Sequence, residues 1–212
     1  MKEKNTKSVC VIGEHLKKNK RSRVKNKLWF MIFFIFAHDQ LVGFSQVYFT
    51  PRDDIKSYLI ALIKEERLSI DAAVYMLTDK AIAQELVNAY IRGVKIRLVL
   101  DQISMGEKYG KGLFLQNSGI MVVVHRATSL NPFCMPIMHH KFFIFGFNAR
   151  AHCSIAWTGS FNCTASASRL HDENVIMTDD AHVIADYKQC FAMLLQKLAG
   201  NRGMDFEEQS YG

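Results

Sequence analysis

Two short segments of this chain carry side chains whose types and spacing could do chemistry together. The first is Met138-His139-His140-Lys141-Phe142-Phe143-Ile144-Phe145, and the second is Trp157-Thr158-Gly159-Ser160-Phe161-Asn162. The unbroken apolar run Phe142 to Phe145 predicts a strand buried on both faces. Side chains alternate along a strand, so His139 and Lys141 share one side and His140 takes the other. A lysine in such a strand is costly unless its ammonium meets an anion or several hydrogen-bond acceptors. Taken alone, the segment also fits a strand end whose lysine reaches out to solvent. The second segment shifts that balance. Gly159 allows the backbone a sharp turn, and Ser160 and Asn162 set a hydroxyl and an amide on one side of it. Imidazole, ammonium, hydroxyl and amide together suit a phosphodiester: the imidazole attacks phosphorus while the others hold the oxygens on which charge accumulates. Glu173, in Asp172-Glu173-Asn174-Val175-Ile176, stands at the start of another strand. Spacing alone fits a plain surface carboxylate there equally well.

These side chains need a scaffold, and the pattern from Val47 onward supplies alternating strands and helices. Val47–Thr50 reads as a short strand ending at Pro51, and Ile55, Leu59, Leu62 and Ile63 follow at helical spacing, with Asp53 and Asp54 at the favourable helix start. Leu68–Tyr75 is a strand interrupted by the polar Ser69 and Asp71. Asp79–Arg92 is a helix stopped by Gly93, and Val94–Leu100 is a strand ending in Asp101. Gly110–Ser118 is a weaker helix, closed by Gly119 and followed by the strand Ile120–Val124. Val183, Ile184, Tyr187, Phe191, Leu194, Leu195 and Leu198 form the stripe of a final helix, capped by Asp179 or Asp180. Strand–helix–strand repeats of this length imply parallel pairing. The expected fold class is therefore α/β: a mixed, largely parallel central sheet with helices on both faces.

Composition sets the outer bounds. The 212 residues are 49% apolar and 22% charged with 3 prolines, which excludes a disordered, collagenous or disulfide-knot chain. The net charge of +7 is unevenly placed. Residues 1–27 hold ten Lys/Arg against Glu3 and Glu14, whereas residues 28–212 hold 17 basic and 18 acidic side chains. The basic run is followed by ten apolar residues, Leu28 to Ala37, too few for a membrane-spanning helix but within the range of a secretory apolar region. Gly43-Phe44-Ser45 before Gln46 fits a cleavage site. The chain accordingly divides into a leader, 1–45, and a catalytic domain, 46–212. The leader is read as a signal peptide that exports the protein to the periplasm or medium, with an uncleaved anchor through residues 28–37 and a buried helix as the other readings. Cysteine selects nothing further. Cys10 lies in the leader, and Cys134, Cys153, Cys163 and Cys190 allow three pairings without preferring one. A zinc set drawn from Cys134, His139, His152 and Cys153 lacks paired short-spaced ligands.

His139-x-Lys141 followed by Gly159-Ser160-x-Asn162 resembles the signature of the phospholipase D superfamily. The subgroup it most resembles is the small bacterial endonucleases with one signature copy per chain, related to mitochondrial cardiolipin hydrolase. The likeness covers about residues 46–198. It includes the Ser69–Tyr75 strand, the turn Arg92-Gly93-Val94-Lys95-Ile96 into Leu98-Val99-Leu100-Asp101, and the pair Glu173-Asn174. Two departures stand out: the family's aspartate five residues after the lysine is here Gly146, and the interval from Lys141 to Gly159 is long, with Phe147–Ser154 reading as an enlarged hairpin loop.

The resemblance implies that His139 attacks phosphorus to form a phosphohistidine, or protonates the leaving oxygen. It implies that Lys141, Ser160 and Asn162 bind the non-bridging oxygens and that Glu173 orients an imidazole. Such chemistry uses two histidines and no metal or other cofactor, and this chain has one signature copy. His125, His140, His152 and His171 lack a matching lysine and are read as structural or exposed. A twofold homodimer that brings His139 of each chain to its axis is the expected solution. The leading functional expectation is a metal-independent phosphodiesterase cutting DNA or RNA, with Lys108, Lys111 and Arg126 as candidates for a groove. The alternative is a phospholipase D acting on phospholipid head groups, which the apolar Leu130–Met138 segment would help to reach. A module that binds without turnover is the reading of a different class.

Overall fold

The computed structural model describes residues 43–106, 108–126 and 136–200. The basic leader and its apolar run lie outside these residues. Among the described residues, seven strands form one sheet in the order β1-β7-β6-β5-β2-β3-β4. They are β1 (Ser45–Phe49), β2 (Ser69–Val74), β3 (Lys95–Asp101), β4 (Met121–His125), β5 (Lys141–Asn148), β6 (Cys153–Gly159) and β7 (Asn174–Thr178). The helices are α1 (Ile55–Glu65), α2 (Lys80–Ile91), α3 (Gly112–Asn117), α4 (Ala165–Arg169) and α5 (Ala181–Gly200).

The sheet is mixed, as expected, but its balance is different. Parallel pairing is confined to β2–β3 and β3–β4, where helical crossovers intervene. The β2–β5, β5–β6, β6–β7 and β1–β7 pairs are antiparallel. The physical reason is the short link between β5 and β6, which can close only an antiparallel pair. That link is also not the enlarged loop expected over Phe147–Ser154. The strands themselves run on to Asn148 and resume at Cys153, with a register shift between Phe145 and Asn148 and a tight turn through His152, whose φ is 58°. The surplus residues lengthen the hairpin.

Alternation divides the core into two layers. Ile70, Ala72, Val74, Leu98, Leu100, Phe143, Phe145 and Trp157 pack with Ile55, Leu59 and Ile63 of α1 and Ile82 and Leu86 of α2. The intervening Ala73, Val99, Val123, Phe142, Ile144 and Ala156 pack with Ile184, Phe191 and Leu198 of α5. Helices thus cover both faces, and the double burial expected of Phe142–Phe145 holds.

Side-chain caps set the helix starts: Asp54 accepts from Ser57 N, and Asp79 from Ala81 N and Ile82 N. Of the two aspartates before α5, Asp180 is the cap, accepting from His182 N and Val183 N at 2.8 and 3.1 Å. Asp179 is engaged elsewhere, accepting from Phe44 N at 2.6 Å. Of residues 43–45, read above as a cleavage site, Ser45 begins β1: it pairs with Thr178, and the two hydroxyls are hydrogen-bonded at 2.7 Å. The polar Asp71 within β2 is accounted for by a two-point ion pair with Arg97, both contacts at 2.7 Å.

Gly146 sits in the hairpin irregularity. A Cβ there would come 2.4 Å from Ser69 Oγ, so the Ser69 side chain would have to turn aside, and 3.2 Å from Ser69 N, a tight fit against the strand backbone. The buried carboxylate of this region comes instead from Glu66, whose Oε1 accepts from the backbone N–H groups of Leu68, Ser69 and Phe147 at 2.8 to 3.0 Å.

Candidate active site

The topology brings one set of strand ends to a single edge. There β1, β2, β3, β4 and β6 finish, while β5 and β7, running the other way, begin. His139 and Lys141 enter at the start of β5, Ser160 and Asn162 follow β6, and Glu173 immediately precedes β7.

The expected strand Met138–Phe145 begins only at Lys141, because its neighbour β2 ends at Val74. His139 is therefore exposed and lies before the strand. Its side chain still falls on the same side as Lys141, whose Nζ is 3.2 Å from His139 Nε2 and donates to the His139 carbonyl at 2.9 Å. His140 turns away, its ring edge against Phe142. An ammonium has three protons and no lone pair, so in its contact with Nε2 the imidazole nitrogen is the acceptor. In the tautomer that accepts this bond, the ring proton is on Nδ1 and Nε2 carries the lone pair. Burial holds Lys141 below the usual lysine pKa, and the nearby Glu173 carboxylate draws it part of the way back. His140 is likewise lowered, by burial first, then by the charge of Lys141 and by His139 when that ring is protonated.

Ser160 and Glu173 form the second half of the site. The Ser160 hydroxyl donates to Glu173 Oε2 and accepts from Asn174 N at 3.0 Å. Its one proton is thus committed to Glu173, and binding a phosphate oxygen requires exchanging that bond. The other oxygen of Glu173, Oε1, faces His171 Nδ1 at 3.8 Å. Gly159 is explained by proximity to β7 rather than by the turn expected of it. A Cβ at this position would lie 2.1 Å from Asn174 O. Asn162 follows on a loop tied to the exit of β2, where Cys163 N donates to Met76 O at 3.0 Å. Its Oδ1 is buried and lacks a hydrogen-bond partner among the described residues. The geometry therefore pairs His139 with Lys141 and Ser160 with Glu173, links the two pairs through the Lys141–Glu173 attraction, and sets Asn162 on the adjoining loop.

Several residues of this edge escaped the sequence reading. The Tyr75 ring lies 4.7 Å from the His139 ring and 5.3 Å from Lys141 Nζ, touching both. The Thr50 hydroxyl donates to His171 O and accepts from Glu173 N, both at 2.7 Å, pinning the segment that carries the carboxylate. Asp101 accepts from Met138 N, beside His139. Strand termini are where such residues arise, and the aromatic at the end of β2 and the aspartate at the end of β3 were the available signals.

Of the groove candidates, Lys108 and Arg126 are exposed and Lys111 is half-buried. Among the described residues, no group of three or more His, Cys, Asp or Glu side chains is arranged to hold a metal ion. No described helix is long and apolar enough to cross a membrane.

The chain is similar to several known proteins. The phospholipase D of Rickettsia prowazekii is 31% identical over 141 residues, covering 66% of this chain and 62% of that protein. The mitochondrial cardiolipin hydrolase of Xenopus tropicalis is 26% identical over 145 residues, 68% of this chain and 63% of that protein. The chain thus matches less than two thirds of the length of these relatives. Among solved structures, NucT from Helicobacter pylori superposes with a TM-score of 0.64 at 21% identity, covering 73% of this chain and 96% of that one. Nuc from Salmonella typhimurium, a phospholipase D family member, gives 0.58 at 24% identity, with 71% and 92% covered. The family model described as cardiolipin synthase, PLD-like domain, matches residues 59–195, which contain all five of the site residues, and the chain belongs to the phospholipase D superfamily.

Proposed function

We propose that this chain is a phosphodiesterase that works through a phosphohistidine on His139 and cleaves DNA or RNA as a homodimer. The contact between Lys141 and His139 Nε2 carries the reading, since it places a lone pair and a cation side by side. A phosphate that draws the ammonium onto its non-bridging oxygens releases Nε2 for attack. The P–Nε2 bond then forms as the P–O bond to the leaving alcohol breaks, and a second imidazole gives that oxygen a proton. The same imidazole, now neutral, takes a proton from water. The water oxygen attacks phosphorus, the P–N bond breaks, and His139 is regenerated with release of the phosphate monoester. Lys141, Asn162 and an exchanged Ser160 hydroxyl stabilise the charge on the oxygens. The scheme asks for no metal. The second imidazole is His139 of another copy, and Glu173 Oε1 is the acceptor that would orient it through a ring N–H.

A second reading, cleavage of a phospholipid head group, is favoured by the side chains at this edge. Phe49, Ile103, Tyr109, Ile137 and Leu170 are all exposed there, Leu170 by 80%. The names of the curated relatives point the same way.

The test is turnover by the purified protein in excess EDTA on single-stranded DNA, duplex DNA, RNA and anionic phospholipid vesicles, with His139→Ala alongside. Cleavage of a nucleic acid that the variant lacks, with an alkali-stable phosphoprotein trapped in the wild type, is the expected result. Hydrolysis of vesicles alone replaces it with the lipid reading, and silence on all four substrates leaves a binding module. Light scattering of the same sample reports the dimer. We also propose that residues 1–45 export the chain, and N-terminal sequencing of the mature protein tests this.

A further inference from the structure

His139 poses a mechanical problem. It is exposed, it precedes the regular part of β5, and it must hold an imidazole against phosphorus with sub-ångström accuracy. Its own ring contacts, with Tyr75 and Lys141, both involve groups that are themselves partly exposed. What fixes it has to act on the backbone. Two fasteners do so, one on each side. After His139, the carbonyl of His140 accepts from Tyr75 N at 2.8 Å, extending the β2–β5 ladder by one bond. Before it, the N–H of Met138 donates to Asp101 Oδ2 at 3.0 Å.

The second fastener is the unusual one. In the sheet order, β2 lies between β5 and β3. The segment entering β5 therefore passes over the end of β2 to reach Asp101, at the end of β3. Asp101 is 3% exposed, and each of its carboxylate oxygens accepts a backbone N–H. Oδ1 accepts from Ile103 N at 3.2 Å, Oδ2 accepts from Met138 N, and His125 Nδ1, at the end of β4, faces Oδ2 at 3.4 Å. Met138 is itself buried, so its N–H has no water to turn to if the carboxylate is lost. A charged acceptor roughly doubles the strength of such a bond. The ends of β3 and β5 are in this way tied at a point one residue from His139, with the buried His125 Nδ1 beside them but making no hydrogen bond among the described residues.

We propose that Asp101 is a positioning residue for His139. It touches neither phosphate nor the reacting nitrogen, and acts by fixing the main chain through Met138 N–H. The proposal rests on the phosphohistidine reading above for its effect on rate, but not for its effect on the imidazole.

Two variants test it independently. Asp101→Asn keeps the shape but loses the charge and half of the acceptor capacity. Replacing Met138 by its α-hydroxy acid turns the amide before it into an ester, deleting the N–H and leaving Asp101 untouched. Each is expected to lower kcat by about 10²-fold with KM within threefold, as a misplaced reacting group does. The two combined should lower it scarcely further, because both remove one bond. The His139 imidazole resonances of the labelled protein should move in both variants. If Asp101→Asn fails to fold, the ester carries the test alone. A kcat within threefold of wild type in the ester, with the His139 resonances unmoved, overturns the proposal. If the wild type turns over no substrate, it is the functional reading that has failed, and the resonances alone then decide whether Asp101 positions His139.

Discussion

Gly159→Ala replaces one hydrogen with a methyl group where β7 lies against β6. The ideal Cβ would stand 2.1 Å from Asn174 O and 2.8 Å from Val175 Cα, both backbone atoms of β7. Separations below 3.0 Å are essentially never seen for a Cβ, so the strands must part by about 0.9 Å or the backbone must twist by as much. That same Asn174 oxygen accepts from Ser160 N at 3.0 Å, and Asn174 N donates to Ser160 Oγ at 3.0 Å. The opening therefore strains two hydrogen bonds that set Ser160 against Glu173. Overpacking of this kind costs about 1–3 kcal/mol, and a weakened hydrogen bond about 0.5–1.5 kcal/mol more. For a domain of this size each kcal/mol lowers Tm by about 2–4 °C, which makes the expected drop about 3–18 °C. Moving Ser160 and Glu173 by about an ångström should also cost about 10²-fold in kcat, assayed well below the new Tm. Gly106→Ala is the control, because its Cβ meets Ile103 O at an ordinary 3.5 Å. A Gly159→Ala protein with Tm within 2 °C (roughly the effect of a neutral surface change) and unchanged kcat would refute the view that close approach of β7 dictates this glycine.

Lys141 supplies a pH prediction whose sign follows from its surroundings. Burial lowers its pKa from the ordinary 10.5 while Glu173 raises it, so activity that needs the ammonium should fall on the alkaline side below pH 10.5. In Glu173→Gln the residual activity should lose its alkaline limb at a still lower pH, since the raising charge is gone. A limb that stays put or moves up in kcat/KM profiles sinks the assignment. Tyr75→Phe should keep kcat within threefold, because the ring face under Lys141 and His139 remains, whereas Tyr75→Leu should lose about 2–30-fold, the range of a cation–π contact of 0.5–2 kcal/mol. Equal losses in the two variants would show that the hydroxyl, not the ring, matters. Glu66→Gln should lower stability by about 1–3 kcal/mol in calorimetry, because three backbone donors converge on its buried Oε1, and should leave kcat unchanged at 25 °C.

The parts of this molecule governed by local pattern were legible in the sequence. Helices α1, α2 and α5 announced themselves through spacing and acidic caps, and β2, β3 and β4 through apolar runs between them. The site residues were legible for a different reason: imidazole, ammonium, hydroxyl and amide are chemically conspicuous at those spacings. What escaped was set by tertiary contact. The five-residue α4 is too short to show a period, and its Thr164 cap acts through a single bond to Ala167 N. The antiparallel half of the sheet depends on where the β5–β6 hairpin turns. Asn148 opens that turn, accepting on Oδ1 from Arg150 N and Ala151 N, but the left-handed position falls on His152, where no glycine announces it. Gly159 looked like a turn residue because a glycine's local freedom is visible in sequence, whereas the backbone of β7 beside it is not. Asp101 read as the end of a strand. Its link to Met138 crosses an intervening strand, 37 residues along the chain, and no pattern in the sequence encodes that.

The charge distribution leads to a final prediction about how substrate is held. Residues 43–200 carry 16 basic and 14 acidic side chains, so the folded body offers a polyanion little net attraction. The site compensates locally. A half-buried ammonium acting at an effective dielectric of about 20 attracts a phosphate charge at 4 Å by about 4 kcal/mol, against about 1 kcal/mol in bulk water. One desolvated lysine at the scissile phosphate can therefore do what several surface cations do elsewhere, and salt screens it less. Each phosphate contacted along a DNA duplex contributes about −0.9 to the slope of log affinity against log salt concentration. A body that grips the scissile phosphate and few others should show a slope of about −1 to −3 in kcat/KM on duplex DNA. Lys141→Met should abolish turnover and flatten the salt slope of binding by about 0.9, one phosphate contact. A slope steeper than about −5 would mean that the protein follows many phosphates. The exposed Lys108 and Arg126 would then belong to a binding surface, and the near-neutral sum of charges would conceal a segregated one.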